Sequence, residues 1–153
     1  MYEHTQRNRG MMALFGLAGI GMLAALSANP GWTHALGPRL TLGSAAVVML
    51  ASAAVFSSLT ITVRDGLLAW SFGFGLLGKS VSLADVSGVE RTTTTVIEGW
   101  GIHLTRRGWL YNVGGRGAVI VTRRDGSRFM LGTDEPDVLE RAIEGARTAA
   151  TRS

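Results

Sequence analysis

The chain has 153 residues, 46% of them hydrophobic and only 17% charged, with no cysteine and a formal net charge of +4. The lack of cysteine excludes a disulfide framework, a thiolate nucleophile and Cys-ligated zinc. The charge of about +2 that remains beyond the N-terminal third is too mild for the dense basic face of a nucleic-acid binder. Charge is also unevenly spread, since Arg39 is the only formally charged residue between Gly10 and Leu59. Soluble domains carry about a quarter charged residues. The sequence therefore reads as an apolar anchor joined to a water-facing domain of about 94 residues, enough for one small core. Arginine outnumbers lysine fourteen to one among abundant Ala and Gly, a coding bias that points to a GC-rich, bacterial source.

Residues 1–10 read as a polar N-terminal tail. Residues 11–28 and 40–59 are two apolar runs, each long enough at ~1.5 Å per residue to cross a hydrocarbon core of ~30 Å. Between them Asn29 to Arg39 forms a turn, with Pro30 to end the first helix and Trp32 suited to a membrane interface. Gly16, Gly19 and Gly21 on the first run, and Gly43, Ala46, Ala51 and Ala54 on the second, would let two helix backbones approach closely, so an antiparallel hairpin is expected. Two readings compete with it. One is a cleaved signal peptide with Arg7 and Arg9 as its charged region and Ala25 to Ser27 as the cleavage site. The other is a pair of buried helices in a soluble core, for which too little chain remains as cover. Arg7 and Arg9 against a lone Arg39 put both termini, and the water-facing domain, in the cytoplasm.

From Ser58 the pattern changes to alternation. Leu59 to Arg64, the Asp65-Gly66 turn and Leu67 to Phe72 read as a β-hairpin. Val81 to Leu83 is a short strand, and Val86 to Ile97 is a long strand rich in β-branched residues and bulged at Gly88. Shorter strands follow at Gly101 to Leu104 and Trp109 to Val113, around Arg106-Arg107-Gly108. Ala118 to Arg123 and Arg128 to Leu131 flank a second Asp-Gly turn at Asp125-Gly126. Thr133 or Asp134 then caps a helix over about 134–149, with Glu135, Pro136 and Asp137 in its first turn and Val138, Leu139, Ala142, Ile143 and Ala146 on one apolar face. The expected architecture is a transmembrane hairpin followed by an α+β, mainly β barrel of about seven antiparallel strands over 60–150, closed by a C-terminal capping helix. With the second span ending near Leu59 and the first strand starting at once, no flexible linker separates them.

Trp100-Gly-Ile-His103, Gly108-Trp-Leu-Tyr-Asn-Val113, Asp125-Gly126 and Leu131-Gly-Thr-Asp-Glu-Pro136 resemble the bacterial PH-like (pleckstrin-homology-type) domains of small membrane-anchored proteins. The similarity covers most of residues 60–147. It implies a PH-like fold held at the membrane by the preceding helices, in a group whose molecular activity is largely undefined. The basic cup with which eukaryotic PH domains bind phosphoinositides is not reproduced here.

The sharpest motif is Gly73-Phe-Gly-Leu-Leu-Gly-Lys79-Ser80, which satisfies GxxxxGK[ST]. A phosphate loop needs a helix after it, and Val81 to Val86 is β-like, so a glycine-rich β-connection is the expected reading and nucleotide binding through 73–80 the remote one. His4, His34 and His103 fall in the tail, the linker and the domain, a distribution that suits no metal site. Asp134, Glu135 and Asp137 are explained by helix capping, and no nucleophile elbow is present. No catalytic residue, cofactor or metal is expected. The candidate contact residues are Arg106, Arg107, Arg123 and Arg124 near turns, with Trp100, Trp109 and Tyr111 as aromatics that are either core or contact patch. Two functions are compatible with these residues. One is a non-enzymatic, membrane-anchored module that binds a protein partner. The other is a sensor of anionic lipid headgroups, each near-surface arginine contributing about 1 kcal/mol.

Overall fold

The computed structural model describes residues 1–29, 31, 35–95 and 101–151. The chain divides into two compact units, a helical one over Asn8–Ser57 and a β-rich one formed by Met1–Arg7 together with Ser58–Ser153.

In the helical unit α1 (Arg9–Ala28) and α2 (Leu36–Val55) are both long and apolar enough to cross a membrane. α1 starts ahead of the apolar run because Asn8 caps it, its Oδ1 accepting from the backbone N–H of Met11 at 2.9 Å. α2 starts earlier than expected because Pro38 falls in the first helical turn, where a missing N–H breaks no bond. It ends at Val55 because Ser58 and Leu59 already belong to a strand. Pro30, Trp32 and His34 lie outside the described residues. The two helices pack together at one close point. Gly19 and Ala46 are buried there, and a Cβ on Gly19 would stand 2.8 Å from Leu50 Cγ and 3.2 Å from the Ala46 carbonyl oxygen. Gly16, Gly21 and Gly43 meet nothing in the corresponding space, so the close approach expected of the whole small-residue stripe is confined to a single crossing. Leu14, Leu17, Ile20, Leu40, Val47 and Val48 are exposed on the helices.

The β-rich unit begins with the largest departure from the sequence reading. Residues 1–10 are not a tail: they form β1 (Tyr2–Arg7) and the first residues of α1. β1 pairs antiparallel along its whole length with β2 (Ser58–Arg64), from Tyr2 opposite Val63 to Arg7 opposite Ser58. The entire helical unit is thus inserted between two adjacent strands. β2 turns through Asp65-Gly66, both at positive φ, into β3 (Leu67–Phe72), which pairs with β4 (Leu77–Ser82). These four strands make one sheet in the order β1-β2-β3-β4.

A single 3-10 turn at Leu83–Asp85, with the Ser82 hydroxyl accepting from the Ala84 N–H, ends the first ladder. The second sheet comprises β5 (Val86–Thr93), β6 (Gly101–Thr105), β7 (Gly108–Asn112), β8 (Gly117–Arg123) and β9 (Arg128–Gly132), in the order β5-β8-β9-β7-β6. β5 is irregular between Val86 and Gly88, where the bulge was expected, and β7 runs parallel to β9. The expected seven antiparallel strands are therefore, among the described residues, nine strands that include one parallel pair. They form two separate sheets, with no ladder among the described residues closing them into a barrel. The strand that the sequence did not mark is β1, which lacks the alternation of apolar residues that signals a strand, while β4 starts four residues ahead of the expected strand at Val81 to Leu83 and leaves Leu83 to the 3-10 turn that follows.

Leu59, Ile61, Val63, Leu68, Trp70 and Phe72 from the first sheet are buried, as are Tyr111, Val119, Val121, Phe129 and Leu131 from the second. The sheets meet through aromatic rings. Trp70 stacks on Phe129 with centroids 4.8 Å apart and lies 5.1 Å from Tyr111. Helix α3 (Pro136–Thr151) packs on β5, β8, β2 and the 3-10 turn and buries Leu139 and Ile143 completely. It starts two residues later than expected, with the Glu135 carbonyl accepting its first N–H bonds and the Thr133 hydroxyl accepting from the Glu135 N–H.

Polar contacts fasten β1. His4 Nε2 lies 2.6 Å from Asp134 Oδ1 and Nδ1 lies 3.3 Å from Glu135 Oε2, while the Gln6 side-chain amide donates to the Gly114 carbonyl at 2.7 Å. Burial, with the Glu135 carboxylate adding to it, pushes the Tyr2 phenol up to about 12. An unfolded tyrosine ionises near 10. Stability from Tyr2 is therefore complete below about pH 10 and is lost as pH rises from there to about 12. Denaturation curves across that window should fall less steeply for Tyr2→Phe than for the parent chain. In the helical unit, Gly19→Ile should weaken helix pairing by about 1–3 kcal/mol, the usual cost of overpacking. Gly21→Ile should change it little, as read by circular dichroism during titration with a denaturing detergent.

Candidate functional site

The edges β4 and β6 are not hydrogen-bonded to each other, and beside β4 the two sheets leave an open groove of about 520 Å³. Trp70, Lys79, Asp85, Trp109, Arg123 and Arg128 are among its walls. A smaller apolar notch of about 130 Å³, lined by Phe72, Leu77, Ile102 and Tyr111, adjoins it through Trp70, Lys79 and Tyr111, which line both. Lys79 stands at the centre. Its Nζ donates to the Tyr111 hydroxyl at 3.0 Å and lies 5.4 Å from the Tyr111 ring centroid and 5.9 Å from that of Trp109. Trp109 is 47% exposed, whereas Tyr111 is buried against Trp70 and Phe72.

Strand register explains this placement. Phe72 opposite Leu77 closes the β3–β4 hairpin, which sets Lys79 directly opposite Trp70 and on the same face of the sheet. Lys79 therefore points toward the second sheet, not away from it. The GxxxxGKS stretch consists of the Gly73–Leu76 turn followed by edge strand β4, with a strand where a phosphate loop requires a helix.

The sequence-predicted contact residues are dispersed. Arg123 lines the groove, with its Nη1 3.2 Å from Asp125 Oδ2. Arg124 lies at a different depression, beside Val86, Ser87 and Arg147. Arg107 donates to the Thr92 hydroxyl at 2.8 Å and to the Thr93 carbonyl at 3.3 Å, bonds that tie the β6–β7 turn. Arg106 is exposed in the same turn. Of the aromatics, Trp109 is exposed and lines the groove, Tyr111 is largely core with its hydroxyl presented to Lys79, and Trp100 lies outside the described residues. Lys79, Trp70 and Arg128 were not among the predicted contacts. Carrying the hairpin register through the Gly73–Leu76 turn would have put Lys79 beside Trp70 from sequence alone.

The remaining ionic groups serve packing. Arg91 pairs with Asp137 and, through Nε, with Glu140 at 2.8 Å, joining β5 to α3. His4 is a strand residue and not part of a tail, and its contacts with Asp134 and Glu135 join β1 to the start of α3. Among the described residues, no group of three His, Asp or Glu is placed to hold a metal ion.

The groove thus offers a cation held by a phenol and two aromatic faces, an exposed indole, and an adjoining apolar notch. Trp70 carries the packing and Lys79 the charge. Accordingly Trp70→Ala should cost about 3–5 kcal/mol, the range for truncating a buried aromatic. Lys79→Ala should cost about 1 kcal/mol or less, the scale of one hydrogen bond at an exposed site. Both values are read from urea unfolding followed by far-UV circular dichroism. No known protein family, characterised protein or solved structure matches the chain.

Proposed function

We propose that this chain is a non-enzymatic, membrane-anchored interaction module. In this reading α1 and α2 span a bacterial inner membrane, and a PH-like β-domain on the cytoplasmic side binds an extended, acidic segment of a protein partner in the groove beside β4. The observation that carries the reading is the Lys79–Trp109–Tyr111 constellation at the edge of β4, beside which no strand lies among the described residues. An edge strand presents unpaired N–H and C=O groups to an added strand, and the cations Lys79, Arg123 and Arg128 beside it favour carboxylates.

The membrane part is supported by two helices of suitable length and apolarity, and by topology. β1 precedes both helices and β2 follows them, yet the two strands pair. Such pairing requires an even number of crossings, and two meet it. Removal of a signal peptide at Ala25 to Ser27 would strip β1 from the sheet. Arg7 and Arg9, flanking the entry to α1, favour the cytoplasmic side. Two facing sheets with a C-terminal helix against β2, β5 and β8 support the PH-like assignment.

Headgroup sensing by Arg106, Arg107, Arg123 and Arg124 has less support, because the chain connections to α1 and α2 are at the other end of the first sheet. Arg123 shares the groove with Ser82, which pairs with Leu67, and Leu67 is five register steps from Phe72. At ~3.3 Å per residue that is roughly 17 Å from the end where Arg7 and Ser58 lead into the helices.

Selection of displayed random peptides on the full chain in nanodiscs tests the proposal. Enriched peptides should carry Asp or Glu beside an apolar residue. Lys79→Glu should weaken their binding by roughly tenfold or more, the scale of losing one charge-assisted hydrogen bond. Enrichment without acidic residues, or binding indifferent to Lys79→Glu, would overturn it.

A further inference from the structure

The turn joining β3 to β4 is chemically unlike the other hairpin turns. β2–β3 turns through Asp65-Gly66, β6–β7 through Arg106-Arg107, and β8–β9 through Arg124-Asp125-Gly126-Ser127, all polar. The β3–β4 turn is Gly73-Phe74-Gly75-Leu76, with Phe74 87% and Leu76 66% exposed and Leu77 also exposed beside them. It is built to project these side chains. Gly73 and Gly75 both take positive φ, and the Gly75 N–H donates back to the Phe72 carbonyl at 3.1 Å. Phe74 is exposed more fully than any of the large apolar residues described on the helices, and Leu76 about as fully as Val47.

The position of this turn in the sheet bears on its exposed apolar residues. The Gly73 N–H donates to the Ser58 carbonyl at 2.9 Å, and Ser58 pairs with Arg7. Three neighbouring strand ends therefore lie side by side at about 4.8 Å spacing: the end of β1, which enters α1, the start of β2, which leaves α2, and the apolar turn. Ser58 is three residues from Val55, the last residue of α2, a reach of at most about 11 Å. In the membrane-spanning reading, helices of 20 residues match a ~30 Å hydrocarbon core, which puts their ends at the headgroups. The headgroup zone on each side is only about 6 Å deep. Covalent reach alone keeps Phe74 close to that zone. Arg7 and Arg9, exposed at the same junction, add the cations that anionic headgroups attract.

From this we infer that Phe74 and Leu76 form a third membrane contact, inserting the tip of the β3–β4 turn into the lipid interface beside the two helices. The inference rests on the membrane-spanning reading of α1 and α2. With the two helix junctions, an inserted turn gives the β-rich domain a third attachment to the bilayer.

The absence of cysteine makes the test direct. Single-cysteine chains Phe74→Cys, Leu76→Cys, Leu67→Cys and Val47→Cys are labelled with an environment-sensitive fluorophore. They are reconstituted at full length in vesicles of phosphatidylethanolamine and phosphatidylglycerol carrying nitroxide lipids, spin-labelled either near the headgroup or near the chain end. Unchanged far-UV circular dichroism verifies each fold. Labels at positions 74 and 76 should emit to the blue of the label at 67 and be quenched severalfold more strongly than it by the shallow nitroxide. The label at 47 should be quenched most by the deep one. Water-like emission at 74 and 76 with quenching no greater than at 67, while 47 remains quenched, overturns the turn contact alone. Loss of quenching at 47 as well overturns the membrane reading beneath it.

Discussion

The antiparallel ladder between β1 and β2 is the constraint on which the rest of the molecule depends. It sets Arg7 opposite Ser58 and is followed at once by a bond from the Asn8 N–H to the Ser57 carbonyl at 3.0 Å. The segment Asn8–Ser57 must therefore begin and end at one place. Closing so long a loop costs entropy that grows only with the logarithm of its length, and two helices of equal length returning on themselves reduce that cost further. β1 itself brings little apolar surface to the bargain. Its inward residues Tyr2, His4 and Gln6 are polar, and it is retained by backbone pairing, by the contacts of His4 with Asp134 and Glu135, and by the Gln6 bond to Gly114.

The same ladder decides how the domain is divided. With β1 occupying the free side of β2, the first sheet completes itself with residues from both sides of the helical insertion, and β4 becomes the opposite edge. The 3-10 turn at Leu83–Asp85 then redirects the chain, so that β5 starts a new ladder. What joins the sheets is side-chain packing. Trp70 lies against Phe129 and Tyr111, and α3 fills the space near β2, β5 and β8. Because no hydrogen bonds seal β4 to β6, the aromatic layer is reached from outside there, and Lys79 stands in the opening. An inward-pointing lysine on an edge strand also discourages indiscriminate strand pairing. An acidic partner would turn that guard into a point of selection.

The two ends of the first sheet have opposite chemistry. The end that carries Asp65-Gly66 lies toward Ser82, Asp85 and Arg123, and is polar. The end that carries the helix junctions has exposed Phe74 and Leu76 instead of turn residues such as Asn or Asp. A domain in water on all sides gains nothing from such a turn, whereas one mounted at a bilayer gains an anchor.

The sequence by itself determined the elements whose signals are local. The two apolar runs, the Asp-Gly turns, the bulge at Gly88 and the amphipathic face of α3 follow from composition, period and turn chemistry within a few residues. Local signals also set the GxxxxGKS stretch apart from a phosphate loop, since β-like residues follow it, although Leu83–Asp85 within that segment is a 3-10 turn. Tertiary structure alone decided that β1 is a strand and that β4 reaches back from Val81 to Leu77. Neither β1 nor the stretch Leu77 to Ser80 alternates apolar with polar residues, and a strand of that kind is stable only where a neighbour offers backbone donors and acceptors. It also decided the site. Arg106, Arg107, Arg123 and Arg124 are close in sequence but go to different tasks, while Lys79, Trp109 and Tyr111 come together from separate sheets. Which side chains share a groove depends on register and on sheet packing, and both are relations between distant segments that no local pattern records.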